Sequence, residues 1–331
     1  MRGGFGGAAL PATRRDLRGA ARAGRAARAL AGCGAPRLEG APVNLVRPRR
    51  SVLYVPGAHA RALEKARSLE ADGLILDLED AVAPAAKGDA RARVVEALRA
   101  GGFGQREVAV RVNGLATPWG PDDLAAAARA RPDAIVLPKV ESAAQVHAAD
   151  AALAAAGASE RLALWCMIET PRGVLAAAEI AAASRRLACL VAGTSDLVKD
   201  LGARHTPART EVLTSLGLIV LAARAFGLAA LDGVHLELDD DAGLEASCRQ
   251  GRDLGFDGKT LIHPRTIAAA NRAFAPDPAE LEEARRVIAA HASAEAAGQG
   301  VVVVDGRLVE ALHVEAARRR VALAEAIGAR R

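Results

Sequence analysis

Two carboxylates, Glu169 and Asp196, follow apolar runs of the sequence in a way that predicts a metal site. Glu169 comes directly after the run 162–168, and Asp196 follows the run 188–191 after a short linker. If both runs are strands, the two side chains emerge where neighbouring strands end. Carboxylate oxygens without Cys or paired His ligands suit Mg²⁺, with Mn²⁺ as an alternative. The competing interpretation is that each carboxylate caps a helix or pairs with an Arg.

Further charged groups occupy the same kind of position after other apolar runs. Asp77 ends the run 73–77, Glu79 and Asp80 follow it, and Lys139 follows 134–137. The three acids could hold metal-bound water or simply lock the mouth of the site, and the sequence favours neither. Lys139 could act in catalysis, but a strut within the acid cluster is the favoured interpretation.

Arg111 and the segment 193–195 are candidate substrate-binding groups. A guanidinium within Val-Arg-Val-Asn can clamp a substrate carboxylate bidentately. A salt bridge to Asp77 or Glu79 is the alternative, and both arrangements can hold at once. Gly193, Thr194 and Ser195 precede a predicted helix, where backbone N–H groups can receive an anion.

Eight short apolar runs separated by helical segments position these groups. The predicted strands are 51–55, 73–77, 107–112, 134–137, 162–168, 188–191, 230–235 and 258–262. Eight β/α units over this length predict a (β/α)₈ TIM barrel, whose catalytic groups lie at the carboxyl ends of the strands. An open doubly wound sheet is the rival, but no GxGxxG follows the first strand.

Three regions are predicted along the chain. Residues 1–42 form a basic tail, 43–298 the barrel, and 299–331 a C-terminal hairpin and helix. The tail holds eight Arg against two acids, a net charge of +6, whereas the whole chain of 331 residues carries +5. The rest therefore carries −1, which argues against a nucleic-acid binder.

The tail is predicted to be disordered, and a transit peptide is the alternative. We expect a cytoplasmic protein, mitochondrial only if the tail is such a peptide. No apolar run is long enough for a membrane span. The four Cys form no CxxC pair and no Cys-His catalytic motif, so zinc binding and thiol catalysis are not expected.

Seven motifs, in order, resemble the HpcH/HpaI aldolase and citrate lyase β-subunit family, which includes malyl-CoA and citramalyl-CoA lyases. They are RSVLYVPG at 50–57, DLEDAV at 77–82, VRVN at 110–113, LPKVE at 137–141, IETPRG at 168–173, GTSDL at 193–197 and GFDGKTLIHP at 255–264. The resemblance spans roughly residues 48–327.

The resemblance implies a TIM barrel that assembles as a homotrimer or homohexamer. It implies Mg²⁺ held by Glu169 and Asp196, and Arg111 on the carboxylate of a 2-oxo acid. It also implies a CoA thioester substrate, with a catalytic carboxylate lent by the C-terminal piece of a neighbouring subunit. Here the chain departs from the family, because Glu310 stands where Asp is expected and the following Pro is absent.

The function expected first is a Mg²⁺-dependent CoA ester lyase. Such an enzyme cleaves or forms a carbon–carbon bond in malyl-, methylmalyl- or citramalyl-CoA and yields acetyl- or propionyl-CoA plus a 2-oxo acid. The alternatives are a malyl-CoA thioesterase, a citrate lyase β-like subunit and a metal-dependent aldolase on free 2-oxo acids. Neither a nucleic acid nor a membrane is expected as a partner.

Overall fold

The computed structural model describes residues 47–298 and 300–330, all within the second of two compact units, Leu45–Arg331. The predicted basic tail, 1–42, lies outside the described residues. None of the described helices is both long and apolar enough to cross a membrane.

Eight parallel strands close into a barrel in sequence order, and β1 pairs with β8, so the predicted TIM barrel is confirmed. The strands are β1 Ser51–Pro56, β2 Gly73–Asp77, β3 Glu107–Arg111, β4 Ala134–Leu137, β5 Ala163–Ile168, β6 Leu187–Ala192, β7 Ala229–Asp232 and β8 Gly258–Leu261.

Helices follow the strands and cover the outside of the barrel. They are α1 Ala60–Ala66, α2 Lys87–Ala100, α3 Gly120–Ala130, α4 Ala143–Ala155, α5 Pro171–Leu175, α6 Ala177–Ala181, α7 Thr194–Asp200, α8 Leu213–Ala225, α9 Asp241–Leu254, α10 Ile267–Ala273, α11 Pro278–Ala296 and α12 Ala311–Gly328.

The apolar character of the strands on both faces follows from this arrangement. Alternate residues such as Ile75 and Val191 fill the barrel interior, while their neighbours Leu76 and Leu190 pack under the helices. A parallel sheet covered on both faces therefore has near-continuous apolar strands. At the amino end of the interior, Arg49 pairs with Glu107 at 2.6 and 2.8 Å and lies over the ring of Trp165.

The C-terminal piece forms the predicted hairpin and helix. Strands β9 Val302–Val304 and β10 Arg307–Val309 pair antiparallel, and Asp305 and Gly306 both have the positive φ that a tight turn requires. Near the end of α12, the Arg330 guanidinium lies 3.4 Å from Asp72, which precedes β2 at the amino end of the barrel.

The predicted strand bounds lie within one residue of the observed ones, except at the end of the seventh strand. The seventh strand was expected to reach residue 235 but ends at Asp232, whose carboxylate accepts the N–H of Gly233. The chain just before α8, which begins at Leu213, is not helical. Arg209 there has a φ of +55°, and a hydrogen bond joins the hydroxyl of Thr206 to Glu211, so this stretch is a structured loop.

Candidate active site

A cavity of about 390 Å³ opens at the carboxyl ends of the barrel strands, where the sequence predicted the catalytic groups. Its lining includes eight predicted site residues, namely Asp77, Asp80, Arg111, Glu169, Gly193, Thr194, Ser195 and Asp196. Glu79 and Lys139 line a separate cavity of about 460 Å³. Glu79 forms an ion pair with Arg111, and Lys139 forms one with Asp196.

Glu169 is the more deeply buried of the two predicted metal ligands. It follows β5 directly, and one carboxylate oxygen accepts the backbone N–H of Lys139 at 2.7 Å. No Lys, Arg or His lies within 4.0 Å of its carboxylate among the described residues. Burial raises the pKa of Glu169 to about 7. A cation bound there would offset this cost of burying the charge.

Gly193 has a steric role beside Glu169. A Cβ added at Gly193 would lie 2.3 Å from the Cβ of Glu169 and 2.4 Å from one of its carboxylate oxygens. The expectation that Gly193 offers its N–H to an anion is wrong, because this N–H donates to the carbonyl of Ile168 at 3.1 Å. Thr194 and Ser195 begin α7 and line the cavity.

Lys139 forms ion pairs with three acids, one of which is the predicted metal ligand Asp196. The Lys139 ammonium is 2.6 Å from Glu79 and 3.5 Å from both Asp80 and Asp196. Burial works against its charge, but Glu79, Asp80 and Glu169 outweigh that effect and raise the pKa of Lys139. Lys139 has a φ of +49°, a conformation unusual for a residue other than glycine. These contacts are those expected of a strut.

Arg111 points into the cavity from β3 and is held by acids. Its Nε and one Nη donate to the two oxygens of Asp77 at 2.7 and 2.6 Å, and its other Nη lies 3.0 Å from Glu79. The salt-bridge alternative is therefore present in the structure, while binding of a substrate carboxylate stays a prediction. These contacts raise the pKa of Arg111 despite its burial.

Tyr54 and Met167 are cavity residues that the sequence analysis missed. The guanidinium of Arg111 lies over the Tyr54 ring at 4.8 Å, and the Tyr54 hydroxyl contacts the Met167 sulfur at 3.6 Å. Alternation along β1 and β5 could have found both, because each lies two residues from another inward-facing position. Their packing fixes the plane of the guanidinium.

The acidic loop after β2, residues 78–80, is held in place by hydrogen bonds from buried polar residues. Lys87 donates to the carbonyls of Leu78 and Glu79 at 3.0 and 2.9 Å, and Asn113 donates to that of Leu78 at 2.9 Å. Burial and the neighbouring Asp80 raise the pKa of Glu79, although Arg111 and Lys139 act against this.

Comparison with known proteins identifies the family. Residues 50–264 match the model of the HpcH/HpaI aldolase/citrate lyase family. The chain belongs to this family. It is thereby an enzyme of a group of metal-dependent carbon–carbon lyases.

Two curated relatives and one solved structure illustrate the family's range. The chain is 53% identical over 282 residues to a (3S)-malyl-CoA thioesterase of Cereibacter sphaeroides, covering 85% of this chain and 96% of the relative. It is 37% identical over 317 residues to an L-malyl-CoA/β-methylmalyl-CoA lyase of the same species, covering 88% and 99%. The CitE protein of Mycobacterium tuberculosis, solved with magnesium, acetoacetate and coenzyme A, has 32% identity and a TM-score of 0.68, covering 84% and 98%.

The donor set of this family member fits Mg²⁺. Glu169 is a buried carboxylate with one hydrogen bond and no direct ion pair, and Asp196 is reached only by ammonium groups at 3.5 Å or more. Residues 47–298 and 300–330 contain no cluster of three His, Cys, Asp or Glu that could cage a metal. Two carboxylates suit Mg²⁺, which usually keeps several waters.

Glu310 lies apart from the other predicted site residues of its own chain. It is exposed at the start of α12, where its N–H donates to Nδ1 of His313 at 3.1 Å, and it does not line the cavity. Its predicted role on a neighbouring subunit stays a prediction.

Proposed function

We propose that the chain is a Mg²⁺-dependent thioesterase that hydrolyses a malyl-CoA-type thioester to free CoA and the hydroxy acid. The observation that carries this proposal is the 53% identity to the (3S)-malyl-CoA thioesterase over almost the whole of that relative. The identity to the malyl-CoA lyase is 37%. The comparisons thus favour the thioesterase alternative over the lyase reading that the motifs suggested first.

The polar cavity supports a substrate with a hydroxyl and a free carboxylate. Arg111, fixed by Asp77 and stacked on Tyr54, supplies a positive charge at its inner wall. Glu169 and Asp196 would hold Mg²⁺, which would supply Lewis-acid polarisation of a substrate oxygen. Thr194 and Ser195 border the same space and would contact the acyl part.

Hydrolysis breaks the carbon–sulfur bond of the thioester and leaves the carbon–carbon bonds intact. It needs a water molecule and a base. Water attacks the thioester carbonyl, its proton passes to a base, and the CoA sulfur leaves with a proton. Of the four carboxylates that line the cavity, Glu169 and Asp196 would hold Mg²⁺ and Asp77 is paired with Arg111. The base would therefore be Glu310 of a neighbouring subunit, the carboxylate that the family resemblance assigns to this role.

Carbon–carbon cleavage is the second candidate, supported by the coverage of 99% of the malyl-CoA lyase. It uses the same substrate class and yields acetyl-CoA plus glyoxylate. An Arg that holds the carboxylate of the departing 2-oxo acid would serve this reaction as well.

Product analysis separates the two reactions. We expect purified protein with Mg²⁺ and malyl-CoA to release free CoA and malate, detected by mass spectrometry, with little glyoxylate. Glu169→Ala should reduce the rate at least about a hundredfold, because it removes a metal ligand. Glyoxylate and acetyl-CoA in equal amounts would assign the chain to the lyases.

A further inference from the structure

One wall of the cavity consists of aliphatic side chains. Val234 and Leu236 come from the segment after β7, and Ile262 follows β8. Leu236 and Ile262 are each 42% exposed, an unusual state for large aliphatic residues beside a polar site. A ligand that covered them with apolar groups would gain the free energy of removing this surface from water.

The other wall has an excess of negative charge. Four carboxylates line the cavity, those of Asp77, Asp80, Glu169 and Asp196. Among the described lining residues Arg111 is the one cationic side chain, and Asp77 and Glu79 already occupy three of its nitrogens.

Two ammonium groups lie near the acidic wall without lining the cavity. The Lys139 ammonium is 2.6 Å from Glu79 and 3.5 Å from both Asp80 and Asp196, so it offsets part of the charge of the acidic wall but does not reach the aliphatic one. Lys199 approaches Asp196 at 3.7 Å from the outside, where its side chain is 75% exposed. The aliphatic wall therefore has no cation of its own within the described part of the cavity.

We propose that Val234, Leu236 and Ile262 determine substrate specificity by admitting acyl groups with one free carboxylate and rejecting those with two. This inference rests on the proposed function. The single carboxylate binds on the Arg111 side, and the uncharged remainder of the acyl group lies against the aliphatic wall.

A second free carboxylate has no favourable place in this cavity. On the Arg111 side the guanidinium and the Mg²⁺ held by Glu169 and Asp196 would already be engaged by the first carboxylate. A second carboxylate there would meet Asp77 and Asp80, and like charges in close proximity repel. On the opposite side it loses water without gaining a hydrogen-bond donor or a cation, which is costly for an ionised group. A methyl group in the same place meets an apolar surface and is tolerated.

Three CoA thioesters that differ at one substituent test the inference. Malyl-CoA carries hydrogen at the hydroxyl-bearing carbon, citramalyl-CoA carries methyl, and citryl-CoA carries a second carboxylate arm. We expect kcat/KM for citramalyl-CoA within about tenfold of that for malyl-CoA. We expect the value for citryl-CoA to be at least about a hundredfold lower. A citryl-CoA value within tenfold of malyl-CoA would overturn the inference.

A cation placed on the aliphatic wall should shift this preference. Leu236→Arg should raise the ratio of citryl-CoA to malyl-CoA turnover at least about tenfold. The matched control is Leu221→Arg on α8, a leucine 67% exposed that does not line the cavity. It should leave the ratio unchanged. Equal ratios in the two variants would contradict the role assigned to the wall.

The readout separates this inference from the proposed function. Loss of thioester is measured whatever the products, so a lyase that makes glyoxylate refutes the thioesterase proposal but still reports the ratio. If the protein catalyses neither hydrolysis nor carbon–carbon cleavage, equilibrium binding of the three thioesters to the Mg²⁺-loaded protein gives the same comparison. Citryl-CoA binding as tight as malyl-CoA binding then overturns the inference.

Discussion

The affinity for Mg²⁺ depends on the protonation of one buried residue, Glu169. Burial raises its pKa to about 7, and a proton on the carboxylate competes with the cation. Affinity is therefore full above pH 7 and is lost as the pH falls below it. We expect the apparent Kd from calorimetric titration to rise about tenfold per pH unit below 7.

Glu169→Gln supplies the control for this pH profile. The amide keeps the shape of the side chain but does not titrate, so binding should be weak at every pH. A profile in Glu169→Gln as steep as that of the parent would show that another group governs Mg²⁺ binding.

Gly193→Ala should weaken Mg²⁺ binding without unfolding the barrel. The added Cβ overlaps the Glu169 side chain and forces it to move, so we expect the Kd to rise at least about tenfold. Gly217→Ala in α8 is the matched control, because a Cβ there meets nothing within 4 Å. It should leave Kd unchanged. Equal Kd values in both variants would contradict the steric role of Gly193.

At the scale of elements, the sequence predicted where strands end better than what their polar residues contact. Apolar runs ending in acids predicted β2 and β5 and placed Asp77 and Glu169 at the mouth, because all carboxyl ends of a parallel barrel meet there. The sequence could not decide which acid pairs with Arg111, since that choice depends on distances of a few ångströms between strands. Gly193 shows the same limit, because its packing against Glu169 is a tertiary contact.

The buried ion pair between β7 and β8 is the clearest structural feature that the sequence did not predict. Lys259 and Asp232 are both fully buried and lie 2.8 Å apart, and Arg209 donates to the same carboxylate. Gly251 of α9 has no room for a Cβ beside Asp232, so the cluster lies between barrel and helix. Strand Lys residues are rarely predicted to be buried, because the partner that permits it is remote in sequence.

Lys259→Met should destabilise the protein. It leaves the buried Asp232 with Arg209 alone, and removing one partner of a buried pair costs about 3 kcal/mol or more. Urea denaturation monitored by circular dichroism measures this loss. Lys65→Met on the exposed side of α1 is the control and should change the free energy of unfolding by less than about 0.5 kcal/mol. A similarly small change in Lys259→Met would mean that the buried pair contributes little.

At the scale of the whole molecule, we propose a homotrimer or homohexamer in which Glu310 serves the site of a neighbouring copy. Within one chain Glu310 is one end of α12, and Arg330, just beyond the other end, contacts the amino end of the barrel. Because Glu310 does not line the cavity of its own chain, we propose that it reaches the site of a neighbouring copy.

Mixed oligomers test this proposal. Glu310→Gln and Glu169→Gln should each be inactive alone, but co-expressed subunits should recover measurable activity, because one supplies the metal site and the other the carboxylate. Light scattering of the purified protein gives the number of subunits. Full activity of Glu310→Gln alone would remove Glu310 from the mechanism, and a monomer would exclude the arrangement.

Turnover of malyl-CoA in ¹⁸O-labelled water tests the central claim most directly. If the chain is a Mg²⁺-dependent thioesterase, malate should gain one ¹⁸O atom in the carboxylate formed from the thioester. One free CoA should appear per malate, and chelation of the metal should stop the reaction. Acetyl-CoA and glyoxylate without labelled malate would contradict the claim.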